Sequence, residues 1–469
     1  MSITFGTDGW RGLIADDFTF ENVASVIQAY ADILLQDNPK PGPIYLGYDR
    51  RFLSAQFAEK AAQVLAANGF PVYLSSQFCP TPCISWLTKE KGMGGVMVTA
   101  SHNPFEWNGI KFKEAYGGSA SPQFCQRVET RCHEERQKGK KAKEISLDEA
   151  RSRDLLRFFD PTQEYCQQLA SMIDLKAIRN AGWRIIADPM YGAGTHFFSH
   201  VLGHPLQELH TDSNPTFGGI QPEPIAKNLS ELIKTTHEGA FDIGLATDGD
   251  ADRIGAVDEN GHFVDSHHIF ALIFRHLVTH HNLKGEAVKT VTTTNMIDKL
   301  AEKFGIKYHV TAVGFKHICQ KFQEITPLIG GEESGGIAIP SHVQERDGIL
   351  SGLMLLEIMS LEKKSLGKIL EDLDKEIGPH HFIRNDLHLN SEEIQKARVT
   401  IAKTREKIID GHRVSQINKQ DGSRYEFEDG SWLLLRASGT EPLVRIYAEA
   451  PSVEMAQGLI EAGKKLLSL

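Results

Sequence analysis

The sequence predicts an α/β fold of three similar mixed α/β domains followed by a smaller C-terminal α+β domain, all around one central cleft. Three observations predict it. Short apolar, β-branched runs alternate with amphipathic stretches in three successive copies. Each copy closes on a chemically loaded loop at the same place. After Gly378-Pro379 the pattern changes to one long helix, a pair of strands and a final helix. Strands alternating with helices imply parallel pairing, with ligands gathering beyond the carboxyl ends of the strands.

The chain opens on Phe5-Gly6-Thr7-Asp8-Gly9-Trp10-Arg11-Gly12, whose three glycines suit a tight loop close to a ligand. From Val23 the residues Val26, Ile27, Tyr30 and Leu34 fall at helical spacing. The first copy then runs strand Ile44 to Gly47, helix Ser54 to Ala67, strand Val72 to Leu74, helix Ile84 to Glu90 and strand Gly95 to Val98, ending in the loop Thr99-Ala100-Ser101-His102-Asn103-Pro104. Arg127 to Arg153 is highly charged and reads as exposed helix and linker. The second copy has strands at Arg184 to Ala187, Leu206 to Leu209 and Ile243 to Ala246, helices at about Gly194 to Leu202 and Leu229 to Glu238, and ends at Asp248. The third has strands at Val288 to Thr292, Lys307 to Val310 and Leu328-Ile329, helices at Ile297 to Phe304 and Phe315 to Phe322, and ends at Gly331-Glu332-Glu333-Ser334-Gly335-Gly336. Beyond Gly378, Glu392 to Ile409 reads as one helix, Trp432 to Leu435 and Val444 to Tyr447 as strands, and Val453 to Leu467 as the closing helix. The implied domains are 1–153, 154–262, 263–377 and 378–469.

Composition narrows the function classes. With 469 residues, 41% of them hydrophobic and 24% charged, the chain has the makeup of a globular protein of several domains. A net charge of −10 argues against a nucleic-acid binder, and the basic cluster Lys138 to Lys143 reads as a solvated segment. No apolar run reaches the ~20 residues that span a bilayer, and no basic leader precedes the glycine-rich opening, so a cytoplasmic location is expected. The six cysteines form no Cys-x-x-Cys pair, and Cys79 and Cys83 lack matching ligands for zinc.

The loops carry the chemistry. Ser101 follows a buried strand, and Pro104 keeps Asn103 out of helical dihedrals, which presents the hydroxyl as a nucleophile. A serine there is by itself more often a turn or cap residue. Asp248-Gly249-Asp250-Ala251-Asp252-Arg253 sets three carboxylates two residues apart, an all-oxygen cluster that selects a hard cation, magnesium first. An EF-hand is excluded because Arg253 occupies the position that needs glycine and Ile254 to Val257 continues as a strand. Arg436-Ala437-Ser438-Gly439-Thr440-Glu441-Pro442, with Arg445, offers backbone N–H groups, hydroxyls and guanidinium forks for a phosphate dianion. Gly331 to Gly336 suits the neutral hydroxyls of a sugar. No Gly-x-Ser-x-Gly elbow surrounds Ser101, so a metal and a phosphate site point to phosphoryl transfer rather than ester hydrolysis. Lys111, if nearby positive charge lowers its pKa, or His102 is the candidate general base.

With these four motifs in this order, the chain resembles the α-D-phosphohexomutases, the superfamily of phosphoglucomutase and phosphomannomutase, and looks most like the phosphoglucomutases. The resemblance covers essentially the whole chain. It implies that Ser101 is the phosphoserine that donates and recovers the phosphoryl group, with magnesium held by Asp248, Asp250, Asp252 and a phosphate oxygen on Ser101. Glu332 and Ser334 would bind sugar hydroxyls. Arg436, Ser438, Gly439, Thr440 and Arg445 would grip the substrate's other phosphate, and Arg11, Lys111 and Arg253 fall where the family keeps basic residues. Gly314 and Lys316, in a segment similar to the phosphoglucomutase version, join the substrate-binding set. The partners implied are a hexose phosphate and a hexose 1,6-bisphosphate intermediate, with no nucleic acid or membrane, in a monomer or dimer. The glucosamine branch usually carries Gln and His where this chain has Glu333 and Gly336, and members accepting both glucose and mannose often keep that histidine. The resemblance therefore implies glucose 1-phosphate and glucose 6-phosphate, with mannose phosphates as the alternative. A phosphohydrolase and a non-catalytic sugar-phosphate binder are the rival classes.

Overall fold

The computed structural model describes residues 3–6, 9–438 and 443–468. The chain forms two compact units: Met1–Gly285 with Gly314–Gly367, and Glu286–Val313 with Lys368–Leu469.

In the larger unit a six-stranded sheet runs in the order Trp10–Leu13, Trp107–Lys113, Gly94–Val98, Ile44–Tyr48, Val72–Ser75, Leu156–Phe159. Its four last-named strands are parallel, as the alternation requires, but the first two pair antiparallel. The second sheet repeats the device. Ile185–Asp188 and Ile243–Thr247 are parallel, and Ile254–Asp258 turns back antiparallel on Ile243–Thr247. In the third copy Pro327–Gly331 pairs antiparallel with Ile337–Ala338. The expected parallel pairing thus holds among the strands read from the alternation, and the antiparallel partners are further strands that reverse beside them. A connection of a few residues can join only antiparallel neighbours, whereas a parallel return needs a crossover of a dozen or more. The three chemically loaded loops are those short connections, each joining a buried strand to the strand that reverses beside it.

The helices Phe20–Asp37, Ser54–Ala67 and Pro122–Gln137 bury Val26, Ile27, Tyr30, Leu65, Phe124 and Val128 in one core with Ile44, Leu46, Val96 and Val98. The helix expected within Arg127 to Arg153 is thus present but packed along one face through Phe124, Val128 and Cys132, while Lys138 to Lys141 and Lys143 are solvated. The helix Gly348–Glu362 is buried along almost its whole length, from Gly348 to Ser360. Being apolar all round, it carries no 3.6-residue stripe by which sequence alone would reveal it. Its first residue must be glycine, because a Cβ at Gly348 would lie 2.2 Å from the carbonyl oxygen of Arg253.

The smaller unit holds a parallel pair, Glu286–Thr290 with Tyr308–Thr311, and a six-stranded antiparallel sheet. The sheet order is His381–His388, Leu443–Ala450, Trp432–Ala437, Ser423–Phe427, His412–Asn418, Ile408–Ile409. Helices Ser391–Lys403 and Val453–Leu466 contribute Ile394, Ile401, Leu459 and Ile460 to its core. The expected helix over Glu392 to Ile409 stops at Lys403. Asp410 and Gly411 both have positive φ, 49° and 82°, and make the hairpin that recruits Ile408 and Ile409 into the sheet.

Across the described residues no helix is long and apolar enough to cross a membrane. None of the six cysteines is in a disulfide.

Candidate active site

Ser101 is fully buried and sits at φ 52°, in the left-handed region. The serine lies on the loop after a buried strand, as expected, and the reversal between two antiparallel strands tucks it inside. Three groups hold that uncommon conformation. The Ser101 N–H donates to Thr99 Oγ1 at 2.9 Å, Thr99 Oγ1 donates to Asp49 Oδ2 at 2.6 Å, and Arg51 donates to the carbonyls of Ser101 at 2.5 Å and Asn103 at 2.6 Å. Arg51 also reaches the carbonyls of Pro104 and Trp107, at 2.8 and 3.1 Å. Its own charge is paired with Asp49 at 3.2 Å. Arg11, on the strand Trp10–Leu13, donates to Asn103 Oδ1 in the same loop, so the glycine-rich opening does meet the serine. Thr7 and Asp8 of that opening lie outside the described residues.

The Ser101 hydroxyl donates to Asp248 Oδ2 at 2.8 Å, and His102 Nδ1 stands 3.4 Å from Ser101 Oγ. Burial, then the charges of Arg253, Arg11, Lys111 and Arg51, holds His102 well below the ordinary imidazole value, so the ring is neutral at pH 7. The aspartate loop and the serine loop touch directly: a Cβ at Gly249 would fall 2.5 Å from the Ser101 carbonyl oxygen. That approach explains why the residue between Asp248 and Asp250 is glycine.

Asp248, Asp250 and Asp252 are all buried, and one carboxylate oxygen from each lies within 4.8 Å of the others. Asp248 Oδ1 accepts the N–H groups of Asp252 and Arg253, at 3.0 and 3.1 Å. Asp250 Oδ2 accepts Thr81 Oγ1 at 2.5 Å and Lys111 Nζ at 2.8 Å. Asp252 Oδ2 takes Lys111 Nζ and Arg346 Nη2, each at 2.8 Å. Lys111 thus faces carboxylates rather than the positive charge that its role as a base would require. Asp250 Oδ1 and Asp252 Oδ1 are buried with no hydrogen-bond partner among the described residues. Burial and the charges of Asp250 and Asp252 push Asp248 well above the ordinary carboxylate range. Burial pushes Asp250 the same way, but Lys111, Thr81 and Arg346 outweigh it and leave Asp250 low. Two orphaned oxygens and one destabilised carboxylate, all on hard oxygen donors, fit a small divalent cation.

The third loop closes on the second. Ile254 N–H donates to the Gly335 carbonyl at 3.2 Å, and Arg253 pairs with Gly336 in an isolated antiparallel bridge. Glu332 Oε1 accepts Ser334 Oγ at 3.2 Å and lies 3.4 Å from Arg346 Nη1; burial raises its pKa. Arg253 itself donates to Glu223 at 3.0 Å. Gly314, at φ 117°, is the N-cap of Phe315–Phe322, and Lys316 reaches the Gly6 carbonyl at 3.3 Å. Ser101, His102, Lys111, Arg11, Arg253, the three aspartates, Glu332 and Ser334 are accordingly linked by these three touching loops and their flanking strands.

In the smaller unit, Arg436 and Arg445 are directly opposite each other across the strands Trp432–Ala437 and Leu443–Ala450. Like charges so placed repel. Asp421 relieves one, at 3.0 Å from Arg436, and Asp386 lies 3.6 Å from Arg445. Ser438 is buried, its carbonyl accepting Arg398 Nη2 at 2.8 Å. Gly439 and Thr440, and with them Glu441 and Pro442, lie outside the described residues.

Sequence reasoning missed Asp49, Arg51, Thr81, Arg346 and Glu223. Asp49-Arg50-Arg51 had a usable signal: charged residues immediately beyond the buried strand Ile44–Tyr48, the same position the other loops occupy. Arg346 had none, because only folding brings it to Asp252.

The chain matches the family described as Phosphoglucomutase/phosphomannomutase in four parts. Alpha/beta/alpha domain I covers residues 2–139, domain II 163–261, domain III 265–376 and the C-terminal domain 386–462. A Thermococcus kodakarensis protein named phosphoglucomutase/phosphomannomutase is 31% identical, over 100% of this chain and 99% of its own. A Thermococcus gammatolerans protein described as a phosphoglucosamine mutase is 32% identical, over 100% and 98%. The crystal structure of a protein described as a phosphomannomutase from Thermus thermophilus superposes with a TM-score of 0.85 at 32% identity, covering 100% of both chains.

Proposed function

The chain belongs to the phosphoglucomutase/phosphomannomutase family, the α-D-phosphohexomutases, and from that premise we propose that it interconverts glucose 1-phosphate and glucose 6-phosphate through phospho-Ser101 and a 1,6-bisphosphate. Family members are intramolecular phosphotransferases, so the reaction class is an isomerisation. The observation that carries the residue assignment is the 2.8 Å hydrogen bond from Ser101 to Asp248 inside a triad with two buried oxygens that accept no hydrogen bond among the described residues.

In this reading Asp248, Asp250, Asp252 and the phosphorylated Ser101 would hold magnesium. When bound, the ion neutralises phosphoryl oxygens and removes the mutual repulsion of the carboxylates. The chain's own residues do the rest. Arg51 and Thr99 fix the serine backbone, Arg11 and Arg253 supply positive charge, and Glu332 and Ser334 take sugar hydroxyls. Arg436, Arg445, Ser438, Gly439 and Thr440 take the non-reacting phosphate, and Gly314 and Lys316 complete the substrate set. In the first half-reaction the free hydroxyl of the hexose monophosphate bonds to phosphorus as the Ser101 Oγ–P bond breaks. The hydroxyl's proton passes to His102, whose Nδ1 stands 3.4 Å from Ser101 Oγ and returns a proton to that oxygen as it leaves. The bisphosphate turns around, and its other phosphate returns to Ser101. Four domains bounded at 153, 262 and 377 supply the loops. The proposed setting is the cytoplasm, as a monomer or dimer acting on hexose phosphates alone.

Glucose preference rests on Glu333 and Gly336 in the sugar loop. Mannose turnover is the alternative, favoured by the double name of the Thermococcus kodakarensis relative. Comparing turnover of glucose, mannose and glucosamine 1-phosphates tests this, and a clear preference for mannose or glucosamine would overturn the glucose assignment. Intact mass before and after glucose 6-phosphate tests the phosphoserine. A phosphoryl group that comes and goes on Ser101, without release of inorganic phosphate, separates a mutase from a hydrolase and from a binder.

A further inference from the structure

A second cluster of metal-ligating side chains stands apart from the aspartate triad in sequence and chemistry. The helix Ser266–Thr279 packs along Gly348–Glu362 and ends in His276-Leu277-Val278-Thr279-His280-His281. Just past the helix end the backbone bends so that His281 N–H bonds back to the His276 carbonyl at 3.3 Å. The two rings then converge. His276 Nε2 is 2.8 Å and His281 Nε2 is 2.9 Å from one and the same oxygen, Glu357 Oε2. The ring planes cross at 76° with centroids 5.0 Å apart. His276 and Glu357 are each 2% exposed, whereas His281 is partly open to solvent.

Paired hydrogen bonds to a buried carboxylate would account for some of this, since a buried charge needs partners. Both imidazoles use Nε2 and both aim at Oε2, so two nitrogen donors and one oxygen donor meet at a single place. The other oxygen, Oε1, is occupied by the Asp174 N–H at 2.5 Å, which fixes the plane of the carboxylate. Such an outer contact is how metal sites orient their ligands. His276 Nδ1 is also buried with no hydrogen-bond partner among the described residues, so hydrogen bonding does not fully satisfy the cluster. The three donor atoms all lie within 4.8 Å of one another. A tetrahedral zinc ion with bonds of about 2.0–2.1 Å needs donors about 3.3 Å apart, roughly half an ångström wider than the present contacts. Small side-chain rotations would supply that.

We propose that His276, His281 and Glu357 form a second divalent-metal site, of the borderline-soft class typified by zinc, which ties the end of Ser266–Thr279 to the buried helix Gly348–Glu362. Two imidazoles and a carboxylate are a nitrogen-rich set that suits zinc or cobalt, in contrast to the all-oxygen triad that suits magnesium. The partly exposed edge of His281 gives the ion an entry path and leaves room for a water as fourth ligand.

The test titrates cobalt(II) chloride into the full chain saturated with magnesium, reading the visible spectrum. Four-coordinate cobalt on nitrogen and oxygen absorbs strongly there, and six-coordinate cobalt on oxygen absorbs weakly. We expect one equivalent to give the strong bands, zinc to abolish them by displacement, and zinc to raise the thermal unfolding midpoint. His281→Gln keeps a side-chain N–H for Glu357 but removes the imidazole ligand. It should remain folded, because position 281 is partly exposed, and should lose both the bands and the zinc-dependent shift. Absence of strong bands in the wild type, or their persistence unchanged in His281→Gln, would overturn the proposal.

Discussion

The aspartate triad of the larger unit and the arginine pair of the smaller one are electrostatic opposites built by the same device. In each, a strand pair forces like charges together: three carboxylates beside the reversal after Ile243–Thr247, two guanidiniums opposite one another at Arg436 and Arg445. They differ in burial. The triad is sealed from water, so its repulsion must be met by Lys111, Arg346 and backbone N–H groups, and two of its oxygens accept no hydrogen bond among the described residues. The arginines are partly solvated, and Asp421 and Asp386 temper their repulsion. In the proposed function the buried excess of charge is where chemistry is done and the half-solvated excess is where the non-reacting phosphate is held.

That contrast can be broken by substitution. Ser101→Ala should abolish mutase turnover, by about four orders of magnitude or more, because the covalent carrier is lost; a coupled glucose 1-phosphate assay reads it. Asp250→Asn should lower kcat by about 10²–10³ and raise the magnesium concentration needed for half activity; chelation of the wild type should silence it reversibly. Arg51→Met leaves Asp49 buried without its cation and frees the serine loop. A loss of about 3–5 kcal/mol is expected in denaturant unfolding, with kcat falling in whatever protein remains folded. Arg445→Ala should act mainly on KM, raising it about 10- to 100-fold through loss of a charge-assisted hydrogen bond of about 1.5–3 kcal/mol. If Arg445→Ala instead lowers kcat as Asp250→Asn does, the division between a chemical and a holding cluster fails.

The smallest effect belongs to a charge already well matched. His210 lies 3.0 Å from Asp188 and 3.2 Å from Glu231, and its hydrogen bond to Asp188 raises its pKa against the opposing effect of burial. A histidine with a raised folded pKa stabilises the fold fully below its unfolded value of about 6.5, and that stability is lost as pH rises through the folded value. His210→Gln should accordingly destabilise more at acidic pH than at pH 8, by thermal unfolding. Equal destabilisation at both would remove the ion pair from the account.

Where local chemistry decides structure, the sequence was a sufficient guide. Ser54–Ala67 and Phe315–Phe322 follow directly from helical spacing between glycines, prolines and polar turns. The triad spacing Asp248, Asp250, Asp252 already announced a cluster of three carboxylates, which the fold gathers within 4.8 Å of one another. What the sequence hid was pairing at a distance. Trp107–Lys113 becomes a partner of Gly94–Val98 only because the short serine loop forces reversal. The helix Gly348–Glu362 has no polar face to betray it. Arg51 and Arg346 sit far along the chain from the groups they hold, and no period or motif links an arginine to a carbonyl or carboxylate that folding alone brings within 3 Å.

The sequence by itself determined the alternation of strands and helices, the four loaded loops and the all-oxygen character of the aspartate cluster, because residue type and spacing dictate all of these locally. Only the tertiary structure decided that Ser101 is buried in a left-handed turn, that Lys111 faces carboxylates, and that His276 and His281 converge on a single oxygen of Glu357. The reason is physical. Burial and convergence depend on which strands and helices become neighbours, and only packing of the whole core settles that.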